Sequence, residues 1–282
     1  MNPFSNLGEI GALSGYEFET ACRFFCQYAY LGDHLGICRV LTKHKLYIDT
    51  RDTGIAPHLI MDGFWETWLT QCLARIVRPG DTCIDIGANV GYYSILMSAL
   101  AGEKGQTIAV EPIPRIAGLL RQTAGLNHPG FGVAEVALSN ETGKTILHIP
   151  NLSFGDSSIL QRSDRVTVSK SKTKVQTITL DLLLEQMNVS KVNVIKMDVE
   201  GAEPQVFEGM KKTIDNNPGL KIIIEYSPYL YADAKGFTEY LFSKFIVRRI
   251  KDVDEMQLLD ESSIAQLTGL TDHTDLYLEL KS

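Results

Sequence analysis

TCIDIGANVGYYS, Thr82 to Ser94, joins a short apolar run to a glycine-bearing turn and then to a second apolar run that ends near Ala101. Cys83, Ile84 and Ile86 suit a strand covered on both faces. Residues 91–101 read as a helix stopped by Gly102–Gly105. The same alternation continues downstream. TIAVEP (107–112) is a strand, PRIAGLLRQTAGL (114–126) a helix and FGVAEVALS (131–139) a strand. VNVIKMD (192–198), a helix from Glu203 to Asp215, and GLKIIIEYS (219–227) follow, and FIVRRIKD (245–252) and DLYLEL (275–280) close the chain as strands around a short helix near Ser263–Leu267. Strand–helix alternation of this kind predicts βαβ units and an α/β, Rossmann-like, doubly wound sheet.

Upstream the grammar differs. Tyr16, Phe18, Cys22 and Phe25 predict an amphipathic helix over Gly15–Leu35. ICRVLT (37–42) and KLYIDT (45–50) predict a hairpin, and FWETWLTQCLARIV (64–77) a helix ended by Pro79-Gly80-Asp81. Residues 1–70 are therefore expected to form a helical and β-hairpin cap, and 71–282 the cofactor-binding domain. The aromatics Phe24, Phe25, Tyr28 and Tyr30 are expected to pack onto the core as part of that cap, or between two subunits, leaving monomer and homodimer open. Between the strand-like KTILHI (144–149) and VQTITL (175–180), residues 151–174 read as a polar loop over the substrate.

Composition removes several function classes. At 44% hydrophobic and 22% charged residues, the chain is an ordinary globular protein. A net charge of −7 argues against nucleic acid as the main partner, since that affinity comes from Lys and Arg meeting phosphates. The five cysteines, Cys22, Cys26, Cys38, Cys72 and Cys83, show no CxxC pairing or zinc spacing and read as reduced thiols. The N-terminus lacks a signal-peptide pattern and no run is long enough to span a membrane, so a cytoplasmic location is expected.

The turn after the first sheet strand specifies the cofactor. A dinucleotide site needs G-x-G-x-x-G so that pyrophosphate can approach the backbone. Here Asn89 occupies the second glycine slot and Tyr92 follows, which disfavours a NAD-linked oxidoreductase. S-adenosylmethionine (SAM) has no phosphate but carries an α-ammonium, a carboxylate and a sulfonium. Asp85 at the strand end suits the ammonium, Gly87 admits close backbone approach, and the helix start near Gly91 favours the carboxylate. Glu111, ending the next strand, stands where a carboxylate accepts from ribose hydroxyls.

Two further strands end in acids, Asp198 and Glu225. On a doubly wound sheet both open beside the transferred methyl group. They are the catalytic expectation: one takes the proton of an attacking alcohol. Alternatively the pair holds Mg²⁺ through oxygen ligands, which is possible but not favoured, and no metal ligand is assigned. Glu203 is expected to cap the following helix.

CIDIGANVGYYS, AVEPIP, TITLD and VIKMDVEGAEPQVFEGM, in this order, resemble the FkbM family of SAM-dependent methyltransferases over about Cys83 to Tyr226. The upstream DTRDTGIAPHLIMDGFWETW resembles what precedes this domain in bacterial members. The resemblance implies a class I methyltransferase fold, a seven-stranded sheet whose last strand is antiparallel. It also implies O-methylation of a sugar, glycan or natural-product hydroxyl. Carried over by position, it assigns Asp85, Gly87, Asn89, Gly91, Glu111 and Pro112 to SAM and puts Ala137, within Val136–Ser139, near the adenine. Asp198 would face the methyl group and Glu66 the methionine end. RNA or protein methylation on the same fold is the alternative. Arg162, Arg165, Lys170, Lys172 and Lys174 make the 151–174 loop basic, which suits an anionic acceptor or simply a solvated loop. His58 and His273 are the histidines that could lie near the site.

Overall fold

Ser14 opens the first helix, α1 (Gly15–Phe25), through a reciprocal cap: its hydroxyl accepts the Glu17 N–H while Glu17 accepts the Ser14 N–H. In this computed structural model, which describes residues 6–149, 171–252 and 255–281, α1 ends ten residues before the expected Leu35. Residues after Cys26 instead form β1 (Gln27–Gly32), because Tyr28, Ala29 and Tyr30 pair with β2 (Leu35–Val40) across a turn that places Gly32, Asp33 and His34 at positive φ. With β3 (His44–Asp49) the expected hairpin becomes a three-stranded antiparallel sheet. Three of the four aromatics do not pack on the core within this chain, Phe24 being 79% and Tyr30 58% exposed and Tyr28 exposed as well, while Phe25 is half-buried. The inner face of α1 is carried by Phe18 and Cys22. Helices α2 (Ile55–Met61) and α3 (Thr67–Ile76) follow; α3 starts later than its apolar pattern suggests because Glu66 turns the chain with φ 38°.

From here the alternation holds. β4 (Thr82–Ile86), α4 (Tyr92–Ala101), β5 (Gln106–Val110), α5 (Pro114–Leu126) and β6 (Gly132–Ala134) form the first half of the domain. The expected strand 131–139 splits: after β6 the chain leaves the large sheet, and β7 (Ala137–Leu138) joins β8 (Gly143–Ile149) and β9 (Ser171–Ile178) in a small second sheet ordered β7-β9-β8. Of the basic residues expected over the substrate, Lys172 and Lys174 lie on β9 and are exposed; Arg162, Arg165 and Lys170 fall outside the described residues. Then come α6 (Leu180–Gln186), β10 (Val194–Met197), α7 (Glu203–Glu208), α8 (Lys211–Asn216), β11 (Lys221–Tyr226), α9 (Ala234–Lys244), β12 (Phe245–Asp252), β13 (Glu255–Leu258), α10 (Ile264–Thr268) and β14 (Thr274–Leu280).

The large sheet has the order β13-β12-β14-β11-β10-β4-β5-β6. β6, β5, β4, β10 and β11 are parallel, and β14 runs antiparallel to both β11 and β12. This is the class I methyltransferase arrangement, lengthened at one edge by β13. The chain steps outward from β4 to β6 and returns to β10 on the other side of β4, so the order reverses between β4 and β10. Open sheets bind ligands at that reversal, beyond the strands' carboxyl ends. One apolar cluster gathers Ile84, Ile108, Ile195 and Ile222 with α6, α7 and α9; another joins Phe18, Leu46 and Leu73 to Tyr93 and Leu96 of α4. The N-terminal elements are thus cored together with the sheet's first helix.

Candidate active site

Four parallel strands deliver the site. Asp85 lies in β4, fully buried, with Oδ2 accepting the Ser94 hydroxyl at 2.5 Å and Oδ1 buried without a partner among the described residues. Burial raises its carboxyl above the usual range, against the opposing effects of Lys196 and Ser94. Gly87 follows at φ 76°, where a Cβ would lie 1.8 Å from the Asp198 carbonyl oxygen. Its glycine is thus required by the chain leaving β10, a constraint separate from ligand approach. Asn89, also at positive φ, donates its N–H to Glu111 Oε2 at 3.0 Å and leaves Oδ1 buried and unpartnered. Gly91 ends the turn at φ 96° against Leu120, and lines neither of the cavities described next.

Glu111, beyond β5, also accepts the Ile113 N–H at 2.8 Å. Burial pushes its carboxyl up to about 7, although both backbone hydrogen bonds oppose this. It lines a cleft of about 630 Å³ together with Pro112, Ile113, Ala137, Leu138 and Val199. A second cavity, about 1110 Å³, opens on the other side of the turn between Glu66, Tyr93, Lys196, Glu200, Glu225 and His273. Gly87, Asn89 and Asp198 line both. His58 does not reach either and instead packs its ring on Trp65.

The second cavity is acidic. Asp198, Glu200 and Glu225 bring carboxylate oxygens within 4.8 Å of one another. Glu225 stands opposite Asp275 in the β11–β14 ladder, and Trp68 Nε1 donates to Asp275 Oδ2 at 2.8 Å. Burial raises the Glu225 carboxyl strongly, and the neighbouring Asp198, Glu200 and Glu203 add to it. Glu66 accepts the Tyr93 hydroxyl at 2.5 Å and is pushed up to about 7, first by burial and then by Asp275. Such a set can share protons or, being all oxygen donors, take a hard cation. Glu203 does not cap α7, which has no side-chain cap; fully buried, it instead accepts the Val199 and Gly201 N–H groups of the turn before the helix. Sequence reasoning missed Lys196, Tyr93 and Asp275. Lys196 sits inside an apolar run, Tyr93 at the start of one and Asp275 at the start of β14, and only the fold turns them toward the acids.

The sequence model of the methyltransferase FkbM domain matches residues 85–259. The chain belongs to the FkbM methyltransferase family. Like other members it is a SAM-dependent enzyme, and the unpartnered Asp85 and Asn89 oxygens at the turn fit a ligand that brings N–H donors. It is 28% identical over 175 residues to the hexuronic acid methyltransferase AglP of Haloferax volcanii, covering 58% of this chain and 68% of that protein. To the 2-O-methyltransferase NoeI of Sinorhizobium fredii it is 28% identical over 157 residues, covering 51% of this chain and 63% of that protein. Among solved structures, the O-methyltransferase of Bacillus cereus in complex with SAH overlays with a TM-score of 0.39 at 13% identity, covering 71% of this chain and 74% of that one. Among the described residues of this FkbM methyltransferase, no helix is long and apolar enough to cross a membrane.

Proposed function

We propose that the acceptor is a sugar hydroxyl, free or within a glycan, and that the chain methylates its oxygen. The observation that carries this reading is the pair of cavities meeting at Gly87, Asn89 and Asp198, with the acids Asp198 and Glu225 on the side away from Glu111. Glu111 binds the ribose hydroxyls, Pro112 and Ala137 flank the adenine, and Asp85, Asn89 and Glu66 take the methionine end. Gly91 acts by shaping the turn. The names of AglP and NoeI, a hexuronic acid methyltransferase and a 2-O-methyltransferase, support a sugar acceptor.

When bound, SAM supplies an electrophilic methyl group. The chain's task is to align the acceptor oxygen, exclude water and remove one proton. Alignment is worth up to ~7–11 kcal/mol of barrier, because orientation is settled on binding. Asp198, ion-paired with Lys196 at 3.3 Å, takes the hydroxyl proton as the oxygen attacks. Glu225, held protonated by burial and by its acidic neighbours, donates a hydrogen bond and keeps the acceptor oriented. Base assistance of this kind is worth ~10²–10⁴-fold, so Asp198→Asn is expected to lose kcat by that order. Radiolabelled SAM offered to panels of monosaccharides, oligosaccharides, RNA and protein tests the acceptor. Label is expected in sugar O-methyl groups; transfer confined to RNA or protein would refute the reading.

A further inference from the structure

Lys196 sits in the middle of β10 in an otherwise apolar run, Val194-Ile195-Lys196-Met197, with its side chain only 6% exposed. An ammonium so deeply buried is costly unless it is paired. The pairing is specific. Lys196 lies in register with Asp85 on β4, so both side chains leave the same face of neighbouring strands. Its Nζ is 3.3 Å from Asp198 Oδ2 and 5.1 Å from the centre of the Tyr93 ring on α4. Glu66, before α3, interacts favourably with it, as do Glu111 after β5 and Asp275 on β14. The ammonium therefore lines the second cavity beside Asp198, with acids and the Tyr93 ring around it.

We propose that Lys196 is a positioning residue for methyl transfer: its buried ammonium holds the Asp198 carboxylate by an ion pair at the junction where cofactor and acceptor meet. Lys196 itself does not exchange a proton. Burial alone would lower its basicity, but Asp198, Asp85 and Glu66 together more than reverse this. Burial already raises Asp85 and Glu66, and Lys196 holds both down; without the interposed cation the two would keep a further proton at neutral pH. SAM, whose α-ammonium and sulfonium are positively charged, would then have to expel that proton to bind. This inference rests on SAM occupying the junction.

Titration calorimetry of SAM into wild type, Lys196→Met and Lys196→Arg, at several pH values and in buffers of different ionisation enthalpy, counts the protons released. The Met variant is expected to release about one proton more than wild type near pH 6.5, with SAM affinity falling up to about tenfold more steeply per unit as pH is lowered. The Arg variant is expected to behave as wild type. A purely structural lysine would change affinity or stability without changing the proton count, and an unchanged count in Lys196→Met overturns the proposal. Should that variant fail to fold, Lys196→Gln, neutral but polar, is expected to show the same extra proton; its absence there overturns the proposal equally. If wild type itself fails to bind SAM, the cofactor site is wrong and this inference falls with it. SAM binding with wild-type proton release in every variant overturns Lys196 alone.

Discussion

Gly87 meets two demands at one α-carbon. Its φ of 76° is left-handed, and a Cβ would stand 1.8 Å from a backbone oxygen of Asp198. Gly87→Ala is expected to lose on the order of 1–2 kcal/mol to the backbone conformation alone, and more because the strand end after β10 must move. Asp198 moves with it, so SAM affinity should fall together with the melting temperature. Gly91→Ala shares the positive φ but meets only side chains, Leu120 Cδ1 closely and Phe131 at ordinary contact, and the Leu120 tip can rotate away. It should lower the melting temperature while leaving SAM affinity close to wild type; equal loss of affinity in both would refute the distinction. Beside Asp198 the positive charge of Lys196 is already built in, so methyl transfer is expected to survive EDTA, and restoration of lost activity by Mg²⁺ would count against this. The acids at strand ends were legible from sequence because a strand–turn–helix pattern places them at one edge. Lys196 was not, since one lysine in VNVIKMD has no meaning until β4 is laid beside it. Glu66 was visible only through the family resemblance: nothing in FWETW announces a left-handed residue.

At the scale of elements, the helix over Glu203–Asp215 shows what periodicity cannot see. The apolar pattern is continuous, yet the chain makes two short helices parted at Gly209. A Cβ there would lie 2.1 Å from the Ser139 carbonyl oxygen, so the break is set by the passage of the segment after β7. The same segment carries Ala137 along the cofactor cleft. Gly209→Ala should therefore destabilise the fold by about 1–3 kcal/mol through overpacking and weaken binding of S-adenosylhomocysteine, which shares the adenosine. Gly219→Ala, with nothing within 4 Å, is the matched comparison and should leave binding unchanged. Denaturant melts and calorimetry on the pair would decide; a harmless Gly209→Ala would remove the proposed link between α7, β7 and the cleft. The division of 131–139 into β6 and β7 was illegible for a related reason. Its apolar residues suit either sheet, and only the pairing of Ala137 with Thr177 on β9 takes the second half away.

Over the whole molecule, the net charge of −7 understates how unevenly acids are placed. Glu111 and Glu203 are buried and pushed up to about 7 from 4.5, an ionisation cost on the order of 3 kcal/mol each. Glu66 shifts the same way, and burial raises Asp85, Asp275 and Glu225 too. A group that binds its proton more tightly in the folded chain than in the unfolded one lowers stability as pH rises from its unfolded value through its folded value. His44 acts oppositely. Burial depresses it from 6.5 to about 4, so its contribution grows as pH rises between those values and is complete above 6.5. Asp49, held low by Arg51 and Arg115 despite its burial, contributes fully above its unfolded value near 3.8. Between pH 6.5 and 8 the raised carboxylates act alone. The ligand-free protein is therefore expected to lose stability across that interval in denaturant melts. SAM brings positive charge to Asp85, Glu66 and Asp198, so its stabilising effect should be larger at pH 8 than at pH 6.5 at equal saturation. A ligand-free stability that rises over the same interval would mean that these acids are solvated and ionised in the fold, and the electrostatic account of the site would have to be abandoned.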